Sequence, residues 1–259
     1  MLLDNLPSSL VAELSNQILH IKISRVEKMN SLSFEMYRAL TKMLNDVEQN
    51  DDVKLVLISG EKECFSAGND IDDFIELQQN QSFSRNHVAS AFIDTLIHFP
   101  KPIIAAVEGV AVGIGTTMLL HCDLVYASPE ASFSMPFVKL GLSPEAAASY
   151  IMPQLMGRAR AAEWLLLGET ITAEQALKDG LLTAVIENPL EMAFQSARAI
   201  TAMSTQAVLA TKKLMSHDSK KRMKTFDREM VEFLKCFTSE PVKIAFEAFV
   251  AKRASHKNE

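Results

Sequence analysis

The chain has 259 residues, of which 48% are hydrophobic and 22% charged, with nine glycines and nine prolines. This composition is typical of an ordinary folded domain and excludes collagen-like, low-complexity and largely disordered proteins. Lysine and arginine number 26 against 32 aspartates and glutamates, a net charge of −6. The chain therefore lacks the basic excess of a nucleic-acid-binding protein, and it favours a polyanionic ligand only if the site is locally basic or uses backbone N–H groups.

The first two thirds of the sequence alternate between strand and helix patterns. Residues 14–24 alternate apolar and polar side chains, as in a half-buried strand, and residues 30–47 then follow helical spacing with Ser33 as N-cap. Further elements follow in turn, with strands predicted over 54–59, 102–107, 123–127 and 131–133 and helices over 71–77, 111–120 and a segment ending at Pro100. This alternation predicts an α/β fold with parallel strand pairing.

From about Thr172 the spacing is helical to the end of the chain. We predict helices over 191–217, 222–236 and 242–254. Large apolar residues recur at helical spacing in the last two of them. Such a pattern is more typical of a core or a subunit interface than of a cofactor site.

The spacing of the cysteines and the sequence near the N-terminus bear on where in the cell the protein is expected to reside. Cys64, Cys122 and Cys236 lie far apart without a CxxC pair, so they predict neither a disulfide framework nor a zinc knuckle. The N-terminus has no basic region and is interrupted by Pro7, unlike a secretory signal. The longest apolar stretch, 110–127, contains polar residues and is too short to cross a bilayer. We expect a cytoplasmic protein with no membrane partner.

Several common catalytic motifs are absent from the sequence. It contains no GxSxG, HExxH or Walker A pattern, and the pair Gly113 and Gly115 lacks the third glycine of a dinucleotide fingerprint, which disfavours a nicotinamide dehydrogenase. The run 121–123 (His-Cys-Asp) resembles a ligand cluster, but three consecutive side chains rarely point the same way. We expect a buried histidine there and no metal site.

Two loops are better candidates for a site. The first, 65–71, follows a predicted strand and opens a helix, and the second, 112–115, opens the next helix. Backbone N–H groups at a helix start have no intrahelical partner and favour negative charge. Small residues in each loop can equally serve only to permit a tight turn. Together, the loops predict a cradle for an oxyanion or a phosphate.

One acidic residue lies in an apolar context. Ser143, Pro144 and Glu145 fit an N-cap, first helical position and first turn, so a structural helix start explains all three. The following residues, 146–150, are mostly small and apolar, which places Glu145 at the edge of an apolar helix. Burial would raise the pKa of Glu145 and a helix dipole would lower it, and the sequence leaves the balance open.

An ordered set of motifs resembles the crotonase (enoyl-CoA hydratase/isomerase) superfamily from about residue 15 to the C-terminal helices. The motifs are RVEKMNSL (25–32), FSAGND (65–70), GVAVGIG (109–115), CDLVYAS (122–128) and SFSMPFVKLGLSPE (132–145). The resemblance implies a crotonase (ClpP-like) spiral of ββα units over 1–195, which holds the acyl-CoA site, and a helical oligomerisation region over 196–259. It also implies acyl-CoA thioesters as substrates, no cofactor beyond the substrate's own CoA, and a homotrimer or dimer of trimers.

The same resemblance implies roles for particular residues. The N–H groups of Asn69 and Ile114 would form an oxyanion hole, in which one donor is typically worth about 3–4 kcal/mol. Backbone contacts from loop 67–71 would follow the adenine and pantetheine, and basic side chains would lie near the CoA phosphates. The implied substrate-binding residues are Arg25, Lys28, Ser66, Ala67, Gly68, Asn69, Asp70, Ile71, Gly113, Phe137 and Leu140.

Departures from the family pattern bear on the reaction. Hydratases of this family carry two glutamates, at places occupied here by Thr117 and Phe137. Hydration needs a base for water and an acid for the α-carbon, so a 2-enoyl-CoA hydratase is disfavoured. Glu145 resembles the single carboxylate of Δ3,Δ2-enoyl-CoA isomerases, which implies conversion of 3-enoyl-CoA to trans-2-enoyl-CoA in fatty-acid β-oxidation. The alternatives are another acyl-CoA enzyme of this type, such as a hydrolase or decarboxylase, or a non-catalytic acyl-CoA-binding protein.

Overall fold

The strands form two sheets in the computed structural model, which describes residues 6–80 and 83–255. The larger sheet has the spatial order β1 (Leu10–Ser15), β2 (Ile18–Ile23), β3 (Leu55–Ser59), β5 (Ile103–Val107), β7 (Leu124–Ala127) and β10 (Ala184–Val185). The smaller sheet has the order β4 (Cys64–Ser66), β6 (Val110–Val112), β8 (Ser132–Ser134) and β9 (Ile171–Thr172). Only the pairs β1–β2 and β8–β9 are antiparallel among these ladders.

The chain alternates between the two sheets. β3 is followed by β4, β5 by β6, and β7 by β8, and helical segments return the chain each time. Parallel pairing of successive units needs such a crossover, since the chain must return to the same end of the sheet. This strand–strand–helix repeat confirms the predicted spiral of ββα units.

Helices cover the sheets and continue to the end of the described chain. They are α1 (Phe34–Glu48), α2 (Ile71–Gln79), α3 (Val88–His98), α4 (Ile114–Thr117), α5 (Ala148–Met156), α6 (Arg158–Ala162), α7 (Ala173–Lys178), α8 (Pro189–Thr201), α9 (Thr205–Met215), α10 (Ser219–Phe237) and α11 (Glu240–Ser255). Short 3₁₀ turns lie at Val26–Lys28, Met118–His121 and Val138–Leu140, and a π-helical turn at Glu163–Leu167. No helix in the part of the chain that the structure describes is long and apolar enough to cross a membrane.

The core lies on both faces of the larger sheet. On β3, Val56 and Ile58 pack into the main core with α1 and α3, while Leu55 and Leu57 point to the other face. That second face is covered by α8. This alternation follows from the period of two along a strand. α10 and α11 contribute Phe226, Phe233, Phe237 and Phe246 to the main core.

The structure corrects five element predictions. Residues 14–24 form a hairpin instead of one strand, because Asn16 and Gln17 adopt φ of 50° and 65° and reverse the chain between β1 and β2. The helix predicted over 111–120 begins only at Ile114, because the residues before it pair in β6. The helix predicted from Ser143 begins at Ala148. The region after Thr172 also contains β10, and the helix predicted over 191–217 is divided into α8 and α9.

A buried ammonium group secures the connection between α1 and β3. Lys101 is 6% exposed, and its Nζ donates hydrogen bonds to the carbonyl oxygens of Val47, Asn50 and Val53 at 2.7, 2.6 and 2.8 Å. These carbonyls end α1 and form the turn into β3. A polar group that loses its partner inside a protein is costly.

Replacing Lys101 with methionine removes these three hydrogen bonds but keeps a side chain of similar length. We expect Lys101→Met to lower the free energy of unfolding by about 2–4 kcal/mol, measured by urea denaturation. The matched control is Lys42→Met, because Lys42 is exposed and pairs only with Asp46 one helical turn away. Equal stability of the two variants would contradict a supporting role for Lys101.

Candidate active site

An apolar cavity of about 590 Å³ lies between the two predicted loops and the C-terminal helices. Its volume falls within the range typical of small-molecule sites. Its apolar lining includes Ile71, Phe74, Phe137, Leu140, Leu142, Phe233 and Phe246, and its charged lining Glu27, Lys28, Asp70 and Lys139. A larger cavity of about 730 Å³, beside α9, is lined by none of the predicted site residues.

Glycines allow the two loops to touch. Gly68 has φ of +93°, and a Cβ there would lie 2.8 Å from the carbonyl oxygen of Val112. A Cβ on Gly115 would lie 2.5 Å from the carbonyl oxygen of Ser66. Real Cβ atoms do not approach so closely, so only glycine permits this packing. The contact brings Asn69 and Ile114 onto adjoining loops.

The backbone around Asn69 leaves its own N–H directed away from the neighbouring chain. The N–H of Leu32 donates to Gly68 O at 2.7 Å, and the N–H of Asp70 donates to Leu32 O at 3.0 Å. In such a parallel bridge, the residue between the two bonded groups presents its N–H to the opposite side. For Asn69, that N–H is available to a ligand, and the residue lines the cavity.

Ile114 is the first residue of α4. Gly113 precedes it with φ of +56°, and the first helical hydrogen bond runs from the N–H of Thr117 to Gly113 O at 2.8 Å. The N–H of Ile114 therefore has no place in the helical ladder. The whole residue is 1% exposed, and the isoleucine side chain has no polar atom, so only its backbone N–H could donate to a ligand.

Glu145 is a buried carboxylate beside Thr117, the last residue of α4. Its side chain is 7% exposed, and its Oε1 accepts a hydrogen bond from Thr117 Oγ1 at 2.7 Å. Burial raises its pKa to about 7, and the negative charge of Glu229 adds to the rise, while the Thr117 hydroxyl opposes it. The helix dipole considered above does not act, because α5 begins three residues later at Ala148. The carboxylate is suited to exchange protons near neutral pH.

Tyr37 holds the Asn69 side chain of the first loop. Its hydroxyl donates to Asn69 Oδ1, and the residue is 1% exposed. Burial holds the pKa of Tyr37 well above its ordinary value, and the nearby charge of Glu145 raises it further. The sequence analysis did not identify Tyr37 and Thr117 as site residues. Tyr37 fits the apolar face of a helix, and Thr117 was noted only because it stands where hydratases carry a glutamate.

Most of the predicted substrate-binding residues line the cavity, whereas Ser66 and Arg25 do not. Lys28, Ala67, Gly68, Asn69, Asp70, Ile71, Gly113, Phe137 and Leu140 line the cavity. Ser66 is fully buried, and its hydroxyl accepts from the N–H of Gly68 at 3.2 Å and donates to Asn30 O at 2.9 Å. Ser66, Arg25, Ile114 and Glu145 do not line it.

The cations near the cavity are engaged with acids. The Arg25 guanidinium contacts Asp70 Oδ2 at 2.7 Å, so it holds the loop that opens α2. Lys28 lines the cavity and pairs with Asp72. Lys139, which was not predicted, also lines the cavity and contacts the exposed Glu169. Lys28 and Lys139 are therefore the lining cations that an anionic ligand would meet.

His121 is buried and bonded, in keeping with its sequence interpretation. Its Nε2 lies 2.9 Å from Ala146 O, and burial lowers its pKa to about 4, so the neutral ring donates this hydrogen bond. No group of three His, Cys, Asp or Glu side chains within residues 6–80 and 83–255 could hold a metal ion.

Comparison with known proteins places the chain in a family. A family model described as enoyl-CoA hydratase/isomerase matches residues 13–259. The Rattus norvegicus protein enoyl-CoA delta isomerase 2 is 34% identical over 242 residues, which cover 91% of this chain and 62% of the rat protein. The chain therefore spans less than two thirds of that relative's length.

Solved structures share the fold. The structure of Pseudomonas aeruginosa OdaA has a TM-score of 0.90 and 38% identity, covering 94% of this chain and 99% of that one. A crystal structure of enoyl-CoA hydratase/isomerase from Pseudoalteromonas atlantica has a TM-score of 0.88 and 35% identity, covering 95% and 98%. The fold is that of the crotonase superfamily. Within it, the chain belongs to the enoyl-CoA hydratase/isomerase family.

The contact between Thr117 and Glu145 gives a direct test of the site's electrostatics. Thr117→Val removes a hydrogen bond that favours the charged carboxylate, so the pKa of Glu145 should rise above its value of about 7. Carboxyl chemical shifts of ¹³C-labelled glutamate across a pH titration measure this change. Thr117→Ser keeps the hydroxyl and should leave the pKa in place. A pKa that does not rise in Thr117→Val would contradict the hydrogen bond.

Proposed function

We propose that this protein is a Δ3,Δ2-enoyl-CoA isomerase, which converts 3-enoyl-CoA to trans-2-enoyl-CoA in fatty-acid β-oxidation. The observation that supports this most is Glu145, a buried carboxylate whose pKa is raised to about 7 and whose hydrogen-bond partner is the hydroxyl of Thr117. A base of this kind can both take and return a proton at neutral pH.

The proposed reaction moves one proton and one double bond. Glu145 removes a proton from C2 of the 3-enoyl thioester. The electron pair of that C–H bond forms the C1–C2 double bond of a dienolate, the carbonyl π pair moves to the thioester oxygen as negative charge, and the C3–C4 double bond is kept. The N–H groups of Asn69 and Ile114 donate to this oxygen. The protonated Glu145 then returns its proton to C4: the carbonyl re-forms, the C1–C2 π pair moves to C2–C3, and the C3–C4 π pair makes the new C4–H bond. The substrate and the product are isomers, so no water or redox partner is consumed.

The surroundings of the base disfavour hydration. Thr117 and Phe137 occupy the places of the two hydratase glutamates, and neither side chain can activate water or protonate an α-carbon. Phe137 and Leu142 belong to the largely apolar lining of the cavity. Exclusion of water from such a site protects the dienolate and the product.

Binding of the CoA portion relies mainly on the backbone of the first loop. Residues 67–71 line the cavity, and Lys28 and Lys139 supply positive charge there. Local groups of this kind can hold a polyanion although the chain carries a net charge of −6. In our proposal, the acyl chain lies among the aromatic side chains Phe74, Phe233 and Phe246.

The proposed assembly is a homotrimer or a dimer of trimers. Large apolar side chains remain exposed on the single chain, among them Leu166, Leu167, Leu214 and Met215, at 68%, 54%, 76% and 62%. Exposed apolar patches on one subunit are typical of subunit interfaces. Light scattering on the purified protein measures the mass of the assembly.

Glu145→Gln removes the proposed base without changing its size. We expect isomerisation of 3-enoyl-CoA by the wild type without appreciable hydration of 2-enoyl-CoA, and a loss of kcat of at least about 100-fold in the variant. Formation of the conjugated thioester is followed by its ultraviolet absorbance. Glu174→Gln, on an exposed surface, is the control. Unchanged turnover in Glu145→Gln would contradict its role, and hydration by the wild type would contradict the proposed reaction.

The pH dependence of kcat/KM should follow the ionisation of the Glu145 carboxyl group. Only the carboxylate of Glu145 can take the C2 proton, so kcat/KM should rise with pH through about 7 and then level off. A pH profile of kcat/KM for 3-enoyl-CoA measures this limb. A limb near pH 4, the ordinary range of an exposed glutamate, would show that burial does not raise the pKa of the base.

A further inference from the structure

A second buried carboxylate lies behind the proposed base and takes no part in the reaction described above. Glu229, on α10, is 7% exposed. Its Oε2 accepts the N–H of Ala147 at 2.6 Å, and its Oε1 accepts both the N–H and the hydroxyl of Ser149, at 2.8 and 2.5 Å. All three donors belong to the segment that directly follows Glu145.

That segment has an unfavourable backbone conformation. Ala146 and Ala147 adopt φ of 60° and 57°, in the left-handed region that a residue with a Cβ rarely occupies. Such a conformation persists only where surrounding contacts impose it. The contacts here are Glu229 from α10, which holds Ala147, and His121 from the neighbouring 3₁₀ turn, which bonds Ala146 O at 2.9 Å.

The left-handed pair determines where the base points. Glu145 is joined directly to Ala146, so a change in the bend would rotate the Glu145 backbone and move its carboxylate away from the Thr117 hydroxyl. Without Glu229, the N–H groups of Ala147 and Ser149 would be left unsatisfied in the interior, and the segment would be released towards an ordinary right-handed conformation.

We propose that Glu229 is a positioning residue, whose carboxylate holds the left-handed Ala146–Ala147 bend and thereby directs the Glu145 carboxylate towards the bound acyl-CoA. This inference rests on the proposed function of Glu145 as base. Glu229 itself is not placed to contact substrate, because its two carboxylate oxygens are occupied by the N–H groups of Ala147 and Ser149 and by the Ser149 hydroxyl. Phe233, four residues later and on the same face of α10, lines the cavity.

The charge of Glu229 gives the proposal a signature beyond stability. The titratable groups about the bend are Tyr37 from α1, His121 from the 3₁₀ turn, and Glu145 and Glu229 themselves. Arg222, also on α10, acts on His121. The negative charge of Glu229 contributes to the raised pKa of Glu145. Removing that charge alone would lower the pKa of the base, whereas displacement of Glu145 from the Thr117 hydroxyl, the larger of the two influences, would raise it. A merely structural residue would show only the first effect.

The test is Glu229→Gln in the full-length protein, with 3-enoyl-CoA as substrate. The glutamine has the same size but presents an amide N–H₂ to groups that need acceptors. We expect kcat to fall by about 10- to 100-fold, as for a misplaced catalytic group, with KM within about twofold. The acid limb of the kcat/KM profile should move to higher pH, because the displaced base loses the Thr117 hydrogen bond. Binding of a saturated acyl-CoA shows that the site remains folded.

Two variants provide matched comparisons. Glu232→Gln, an exposed position on the same helix, should leave kcat and the limb unchanged. Ser149→Ala removes one hydrogen bond but keeps the Glu229 charge, so kcat should fall slightly and the limb should stay in place. A folded Glu229→Gln with wild-type kcat and an unmoved limb would overturn the proposal.

A further variant decides the question if Glu229→Gln does not fold. Glu229→Asp keeps the charge but is too short for all three donors, so we expect reduced kcat and a limb at higher pH from the weakened Thr117 contact, and wild-type kcat would overturn the proposal. Failure of the proposed function is distinguishable, because it would appear as absent isomerisation in the wild type or as full activity of Glu145→Gln.

Discussion

The close contact between the β4 and β6 loops is the constraint on which the site depends. Gly68 packs against the carbonyl of Val112 and Gly115 against that of Ser66, at distances that leave no room for a side chain. Because these loops end successive strands of the smaller sheet, the parallel ladder β4–β6 fixes their spacing. The N–H groups of Asn69 and Ile114 are thus arranged by the sheet, and the Arg25–Asp70 ion pair holds the residue that follows Asn69.

The chemistry that this cradle supports depends on the environment of one carboxylate. Glu145 is kept from water, and its closest polar partner is a hydroxyl that stabilises the ionised form without supplying a second acid. Burial outweighs this hydrogen bond, so the proton affinity of Glu145 lies near neutrality. A site with one such group is suited to shuttle a proton within a molecule, whereas addition of water needs two.

Local signals made much of the fold predictable from the sequence. Ser33 does cap α1, and the apolar run 54–59 does form β3, because capping and strand periodicity are short-range properties. The hairpin at Asn16 was missed because the alternating pattern continues across a turn that lacks glycine. The bend at Ala147 was missed for another reason: alanine favours helix, and the carboxylate that overrides this preference lies 82 residues away. The loops that line the cavity were predictable, and the role of Glu145 stays a prediction, whereas the contacts of Tyr37 and Thr117 are tertiary.

Helix α10 carries Phe233 in the cavity wall and Glu229 beneath the backbone of the base on the same face. A rigid helix transmits a displacement at one position to the other within a single turn. Substitutions that reshape the pocket at Phe233 for a longer or branched acyl chain would therefore also disturb the alignment of Glu145. Under the proposed function, substrate range and turnover would in this way be linked traits. The opposite wall shares this link, since Phe74 of α2 packs against Phe237 of α10.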